Sequence, residues 1–267
     1  MKALNFLTAL SLLLLGGAYH AAPAQRATAA APRRDPAGLR FRLAVRADEA
    51  TPGPSVERAK AVIVKRCGLL RVNCKLEPTP GGGPNQLTLD VSGGLGPRRV
   101  REVLLAEGLV VLPVVSPPFP SPLLAYDSPE EARRAAREDE TVLPYEEGGA
   151  VALLVVKRAP IITGDDARAP SAFVARGTRR SYDVHFGLSR EGSERLAAWT
   201  GANINNYLAV VYNGRVVAAH YVKSAVSLNG EINGRFTRAA AADVVRVLSS
   251  GNLPAPVEVL EEGARRP

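Results

Sequence analysis

An α+β fold that opens on a ferredoxin-like pattern is what this 267-residue chain predicts. Three observations carry that reading. Stretches that alternate apolar and polar residues, the mark of half-buried strands, recur along the chain. Between them lie segments with apolar residues at helical spacing, bounded by capping residues and glycines. Over residues 39–115 the order is strand, helix, strand, strand, helix, strand, the βαββαβ arrangement of a ferredoxin-like sandwich.

The first strand is Leu39 to Val45, followed by the Pro52-Gly-Pro54 break. Ser55 caps a helix to about Lys65, with Val56, Ala59, Val62 and Ile63 on one face, and Gly68 ends it. Strands near Val72 to Leu76 and Gln86 to Val91 flank the Gly81-Gly-Gly-Pro84 turn. Arg98 to Glu107 reads as a second helix closed by Gly108, and Leu109 to Val115 as a continuous apolar strand. The Pro-rich run Pro117 to Pro122 then marks a subdomain boundary. Ser128-Pro-Glu-Glu131 is a capping box that launches a helix to about Glu138. Strands at Val151 to Val156 and Tyr182 to Leu188 and a helix over Glu191 to Thr200 follow. Tyr207 to Tyr212 pairs with Arg215 to His220 across Asn213-Gly214, residues that tolerate the positive φ a type I′ turn requires. Thr237 caps a last helix, Ala239 to Leu248, which stops at Gly251 before a strand from Val257 to Leu260.

Residues 1–24 read as an export signal: Lys2, an apolar run from Leu4 to Leu15, and Ala22-Pro-Ala24 before Gln25. An uncleaved anchor is the alternative, but Gly16 to His20 cuts the apolar run below the about 20 residues of a spanning helix. Residues 25–38, rich in Ala, Pro and Arg, read as a flexible tether. No later segment is expected to span a bilayer. The net charge of +8 comes from dispersed Arg clusters such as Arg33-Arg34, Arg98-Arg99-Arg101 and Arg176 with Arg179-Arg180. They lack interleaved aromatic residues, which argues against nucleic-acid binding. A solvated surface is the reading, with weak attraction to anionic membrane headgroups as the alternative.

Cys67 and Cys74, seven apart in an exported chain, point to a disulfide worth about 2 to 3 kcal/mol, with a free buried pair as the alternative. Two sulfurs cannot close a zinc site. Neither His185 nor His220 stands in a metal-ligand spacing. Ser189 in Gly187-Leu-Ser-Arg-Glu-Gly192 misses the nucleophile elbow and reads as a helix cap. Gly81-Gly-Gly83 is not followed by the helix a phosphate loop needs. The expectation is a protein without cofactor, metal site or catalysis.

Four ordered blocks carry a resemblance. They are Trp199-Thr-Gly-Ala-Asn203, Leu208-Ala-Val-Val-Tyr-Asn-Gly-Arg-Val216, Ile232-Asn-Gly-Arg-Phe-Thr237 and Leu248-Ser-Ser-Gly-Asn-Leu-Pro-Ala-Pro256. Together they resemble the first periplasmic domain of the SecD family, which writes T-x-x-N-x-G-K-x-L-A-I-x-x-D-G, I-x-G-x-F-T and L-R-S-G-x-L-P-x-P. Asn205 and Asn206 stand where the family has Gly and Lys. Upstream the likeness is weaker: Ser92-Gly93 replaces a P-G, Leu143-Pro-Tyr145 matches a turn, and Ile161 to Asp165 is similar to L-T-G-A-D-L. There the family opens a helix, so Asp165 and Asp166 read as first-turn acids rather than as an acid-base pair.

The resemblance implies structural or hinge roles for Gly164, Thr200, Asn203, Asn213, Gly214, Gly234, Phe236, Gly251, Leu253 and Pro254. It also implies that the last strand re-enters a base subdomain, residues 39–116 completed by 252–262, with residues 117–251 as an inserted head. A head on short Pro-rich crossings is free to swing as a rigid body. In SecD this domain meets preprotein beyond the membrane, and head motion is coupled to proton flow through membrane helices. The sequence stops at Pro267, before the family's G-P-x-L-G and those helices. The expectation is therefore a stand-alone, non-enzymatic, periplasmic or secreted SecD-like protein without its own proton-driven motor. Its expected partners are extended or translocating polypeptide, in an accessory role in protein export. The alternative is an envelope adaptor that docks on a membrane complex without binding unfolded chains, and Sec-type membrane proteins are the alternative partners.

Overall fold

Leu39–Val45 (β1) buries Phe41, Leu43 and Val45 and turns Arg40 and Arg42 outward, the period-two pattern of a strand with one wet face. The computed structural model describes residues 38–46, 52–147, 150–174, 181–226 and 229–265. In it β1 sits inside a four-stranded antiparallel sheet ordered β13-β1-β3-β2, formed with Asn73–Pro78 (β2), Gln86–Ser92 (β3) and Val257–Ala264 (β13). Helix α1 (Pro52–Leu70) and a shorter helix, α2 (Pro97–Arg99), which runs on as a π-type turn over Val100–Leu104, cover the apolar face.

The edge of this sheet is not the strand the sequence pattern suggests. Leu109–Pro113 (β4) instead bonds to strands of a second, six-stranded sheet. That sheet is ordered β6-β5-β11-β10-β4-β7, with Glu140–Glu147 (β5), Ala150–Lys157 (β6), Ile162–Thr163 (β7), Tyr207–Tyr212 (β10) and Arg215–Tyr221 (β11). The reason lies in burial. β4 faces apolar cores on both sides, Leu109 and Val111 on one and Leu112 and Val114 on the other. The first sheet offers only one dry face, so a continuous apolar run belongs in the second. β13 fills the vacant edge, pairing with β1 from Val45↔Val257 to Leu39↔Ala264.

The six-stranded sheet curls. A bridge between Val114 and Val156 brings the end of β4 beside β6, around a core of Leu112, Leu154, Val156, Ala209 and Val211. Its other face meets a three-stranded sheet ordered β12-β9-β8, built from Ala167–Val174 (β8), Tyr182–Leu188 (β9) and Asn229–Phe236 (β12). Helices α4 (Arg190–Ala202) and α5 (Arg238–Ser250) pack into this interface through Leu196, Ala241, Val244 and Leu248. A short helix, α3 (Pro129–Ala135), starts at Ser128, whose side chain accepts a bond from the Glu131 amide.

Several elements depart from the sequence expectation. α1 runs past Gly68 to Leu70, and the chain leaves it at Arg71 with φ 56°. Leu143-Pro-Tyr145 lies inside β5, which pairs with β11 only at Tyr145↔Val216, so Pro144 sits beside a nearly unpaired edge. Gly164–Asp166 is a single 3₁₀ turn that leads into β8 rather than a helix. The Pro-rich run follows β4, which belongs to the six-stranded sheet. Phe119 within that run stacks on Tyr221 of β11 at 4.6 Å. The export signal (1–24), the tether up to residue 37, Arg33-Arg34 and Arg176 with Arg179-Arg180 lie outside the described residues. Among the described residues no helix is long and apolar enough to cross a membrane.

Candidate functional site: two pinned crossings and an apolar cavity

The chain passes from the first sheet to the larger lobe after Leu104 and returns after Ser250. Both crossings are tied to one side chain. Arg66 continues the buried stripe of Ala59 and Ile63 on α1 and is 0% exposed. Its Nε donates to Ser250 Oγ at 2.8 Å and its Nη2 to the Gly251 carbonyl at 2.9 Å. Its Nη1 donates to the carbonyls of Leu104 and Ala106 at 3.0 and 2.6 Å. The guanidinium thus caps the carboxyl ends of α5 and of the π-type turn, where helix dipoles favour a cation. Burial lowers its pKa to about 10, which leaves it charged at neutral pH.

Asn252 makes the second tie. Its Oδ1 accepts from the Leu109 amide at 3.0 Å, and its Nδ2 donates to the Leu109 carbonyl at 2.7 Å. Its own amide donates to Asp165 Oδ1 at 3.1 Å. Gly108, with φ 108°, and Gly164 flank this side chain, and a Cβ on either would come within 2.0 Å of Asn252 Oδ1. The β10–β11 turn adds a third tie: Asn213 Oδ1 accepts from the Glu107 amide at 3.1 Å, and the Asn213 amide donates to Gly108 at 3.0 Å. Gly214, at φ 73°, completes that turn. Leu253 donates its amide to the Glu107 carbonyl at 3.1 Å and buries its side chain in the core of the first sheet.

Gly164, Asn213, Gly214, Gly251 and Leu253 therefore converge on one joint. Thr200 and Asn203 lie elsewhere. The Thr200 hydroxyl, on α4, donates to the Leu196 carbonyl at 2.7 Å and accepts from the Val226 amide at 2.9 Å, which fastens the loop after β11 to α4. Asn203 closes α4, its Nδ2 donating to the Trp199 carbonyl at 2.8 Å. Asn205, with φ 68°, donates its amide to the Val222 carbonyl at 2.8 Å. Phe236 packs behind in the inter-sheet core, Gly234 lies in β12, and Pro254 is exposed on the return crossing. Cys67 and Cys74, bonded at 2.06 Å, belong to the first layer, where Cys67 directly follows Arg66 on α1.

The fastened loop walls a cavity of about 410 Å³ between the two sheets of the larger lobe. Phe186 and Leu188 of β9, Leu208 and Val210 of β10 and Leu196 of α4 line it, while His220, Lys223, Ser224 and Glu231 stand among its polar groups. Gly230 of β12 has no room for a side chain, since a Cβ there would lie 2.1 Å from Phe186 Cζ. Val226, 45% exposed, presents an apolar lip. Lys223 Nζ lies 5.2 Å from the Tyr221 ring, on which Phe119 stacks.

The acids singled out in the sequence have structural bonds. Asp166 accepts from the Thr163 amide at 3.0 Å, from Arg195 Nη2 at 2.7 Å and from Ser189 Oγ at 3.2 Å. Burial raises its pKa, but the bonds from Thr163, Arg195 and Ser189 outweigh that and hold it below the ordinary carboxylate value. Among the described residues no three His, Cys, Asp or Glu side chains are grouped to hold a metal ion.

Residues 140–255 match the family model for the SecDF P1 head subdomain. The chain carries a SecD-family P1 domain. Protein translocase subunit SecD of Koribacter versatilis (strain Ellin345) is 32% identical over 213 residues, covering 78% of this chain and 38% of that protein. SecD of Aquifex aeolicus (strain VF5) is 29% identical over 180 residues, covering 67% of this chain and 34% of that protein. A solved chain of SecDF, described as a membrane component that enhances protein export, superposes with a TM-score of 0.59 at 22% identity. That match covers 83% of this chain and 98% of the solved one, and at such identity it speaks for the fold alone.

The P1 domain thus spans little more than a third of the curated relatives named here. The matched interval takes in Asn252, the cavity loop and α5, whereas Arg66 and Gly108 lie upstream of it. Motif reading found Gly164, Asn213, Gly214, Gly251 and Leu253 at the joint but gave no role to Arg66 or Asn252 and took Gly108 only as a helix stop. Arg66 could have been found, because an Arg seven residues after Ala59 and three after Ile63 interrupts an apolar stripe.

Proposed function

We propose that this P1 domain is a non-enzymatic accessory of protein translocation that holds extended preprotein segments in the cavity of its head. One observation carries the reading: the cavity of about 410 Å³ has apolar walls, a rim with both signs of charge and a loop fastened to α4 through Thr200. A volume of that order accepts one or two large side chains, each contributing about 1.5 to 3 kcal/mol on burial. The relatives' role as translocase subunits supports the same assignment.

The strand order β13-β1-β3-β2, with helices on one face, supports a ferredoxin-like base into which the head is inserted. In this reading the outbound boundary falls near residue 106, where Arg66 grips the chain, and the return near residue 252. The motif residues at the joint hold the head against the base. Residues 1–24 serve as the export signal, which places the domain in the periplasm or outside the cell. Sec-type membrane proteins are its partners, with weak contact to anionic headgroups through the surplus of Arg.

The test compares affinity for a reduced, unfolded client with affinity for the same client folded. Micromolar binding of the unfolded form alone is expected, weakened at least tenfold by Val226→Glu at the cavity lip. Equal, negligible affinity for both forms would remove the reading. Crosslinking in cells that recovers only folded membrane proteins, and no nascent chains, would replace it with the adaptor.

A further inference from the structure

The cavity opens beside the last strand of a sheet. Among the described residues β12 ends the three-stranded sheet and bonds to β9 on one side only. β11 of the six-stranded sheet approaches β12 without pairing with it among the described residues, and its register with β5 is confined to Val216↔Tyr145. Along β12 the pairing with β9 is regular over Asn229–Ile232 and shifts register before Phe236. Ile232 is buried, while Gly230 and Glu231 both line the cavity, Glu231 lying beside His185. The regular part of a sheet edge thus runs along the cavity wall. Such an edge presents backbone donors and acceptors to any extended chain beside it.

We propose that an extended polypeptide segment adds to β12 as a further strand, setting every second side chain into the cavity. The proposal rests on the preprotein-binding reading above and specifies its mode. Side chains directly opposite on one face of a sheet lie about 5 Å apart. A residue facing Gly230 therefore meets the Phe186 ring, which lies over that glycine at the cavity wall. Backbone bonds supply sequence-tolerant affinity, and the cavity selects large apolar residues at alternate positions. Charge defines the flank. Lys223 has no ion pair among the described residues and is steadied only by the Tyr221 ring, so its ammonium complements an acidic residue next to the apolar run. The client class is a β-prone, alternating apolar segment with an acidic neighbour, rather than an amphipathic helix.

The experiment uses a nine-residue peptide with Ile at positions 3, 5 and 7, polar residues between them and Glu at position 9. It is titrated with the purified chain alongside versions carrying a single backbone N-methyl group at each position. Expected is a two-residue periodicity, with N-methylation costing at least tenfold at alternate positions and little in between. Hydrogen exchange at Gly230 to Ile232 slows in the complex, and Lys223→Gln removes the preference for Glu over Gln at position 9. Binding with a flat N-methyl profile, or with unchanged exchange along β12, overturns strand addition while leaving the preprotein reading in place. If neither this peptide nor any unfolded client binds, both fall.

Discussion

Arg66 gives its four hydrogen bonds to segments that lie 38 to 185 residues away in the chain. An Arg66→Met variant fills much the same space but leaves three carbonyls and a hydroxyl to find other partners. Each buried acceptor so abandoned costs about 1 to 3 kcal/mol, so a loss of at least about 3 kcal/mol is expected in urea unfolding. Arg66→Lys recovers only part of it, because an ammonium cannot span the same fork. Asp166 gives a pH signature. Its folded pKa is depressed, so its contribution is present above the unfolded carboxylate value of about 4 and is lost as pH falls through the folded value. The unfolding midpoint should drop between pH 5 and pH 3, and Asp166→Asn should make that drop smaller while lowering stability at pH 7. The place of Arg66 on a buried stripe was legible by counting residues. Its partners were not, because nothing local in a sequence says which carbonyls will arrive from a helix far downstream.

Among the elements, those with a strong local signal were read well. β9, the Asn213-Gly214 hairpin, and helices α4 and α5, capped by Ser189 and Thr237, needed only period and caps. β8 and β12 were missed because Ala167-Arg-Ala-Pro-Ser and Asn229-Gly-Glu-Ile-Asn-Gly carry too few apolar residues to show alternation. Their strand form comes from pairing with β9. The end of α1 was misplaced for a related reason. Gly68 looks like a stop, yet Leu70 packs on the core and the Cys67–Cys74 bond ties the last turn to β2. Replacing both cysteines with Ser should cost about 2 to 3 kcal/mol, measured as a lower urea midpoint. Unfolded-client affinity should stay the same, since the bridge lies in the first layer and the cavity in the larger lobe.

For the whole molecule, the decisive pairing joins the first and last strands among the described residues: β1 begins at Leu39 and its edge partner is β13. The alternation of β1 announced a sheet, but the continuous apolar run of β4 was the nearer candidate for its edge. Only two-sided burial shows why β4 belongs elsewhere. A chain ended at Pro256 should leave β1 with an open edge and release Arg42, Arg46 and Arg101 from Glu261, Glu258 and Glu262. Early elution in gel filtration and a broadened melting transition are the expected readouts. Long-range pairing of this kind also slows folding, since the first strand waits for the last.

The amide of Leu253 and the carbonyl of Glu107 touch at 3.1 Å. Everything between those two residues leaves and rejoins the first layer at a single point, like a handbag held by its clasp. Cutting it out and joining the stumps through a tight turn would ask little of the host in closure entropy. The same clasp would admit an unrelated cargo domain, provided that its own termini lie side by side.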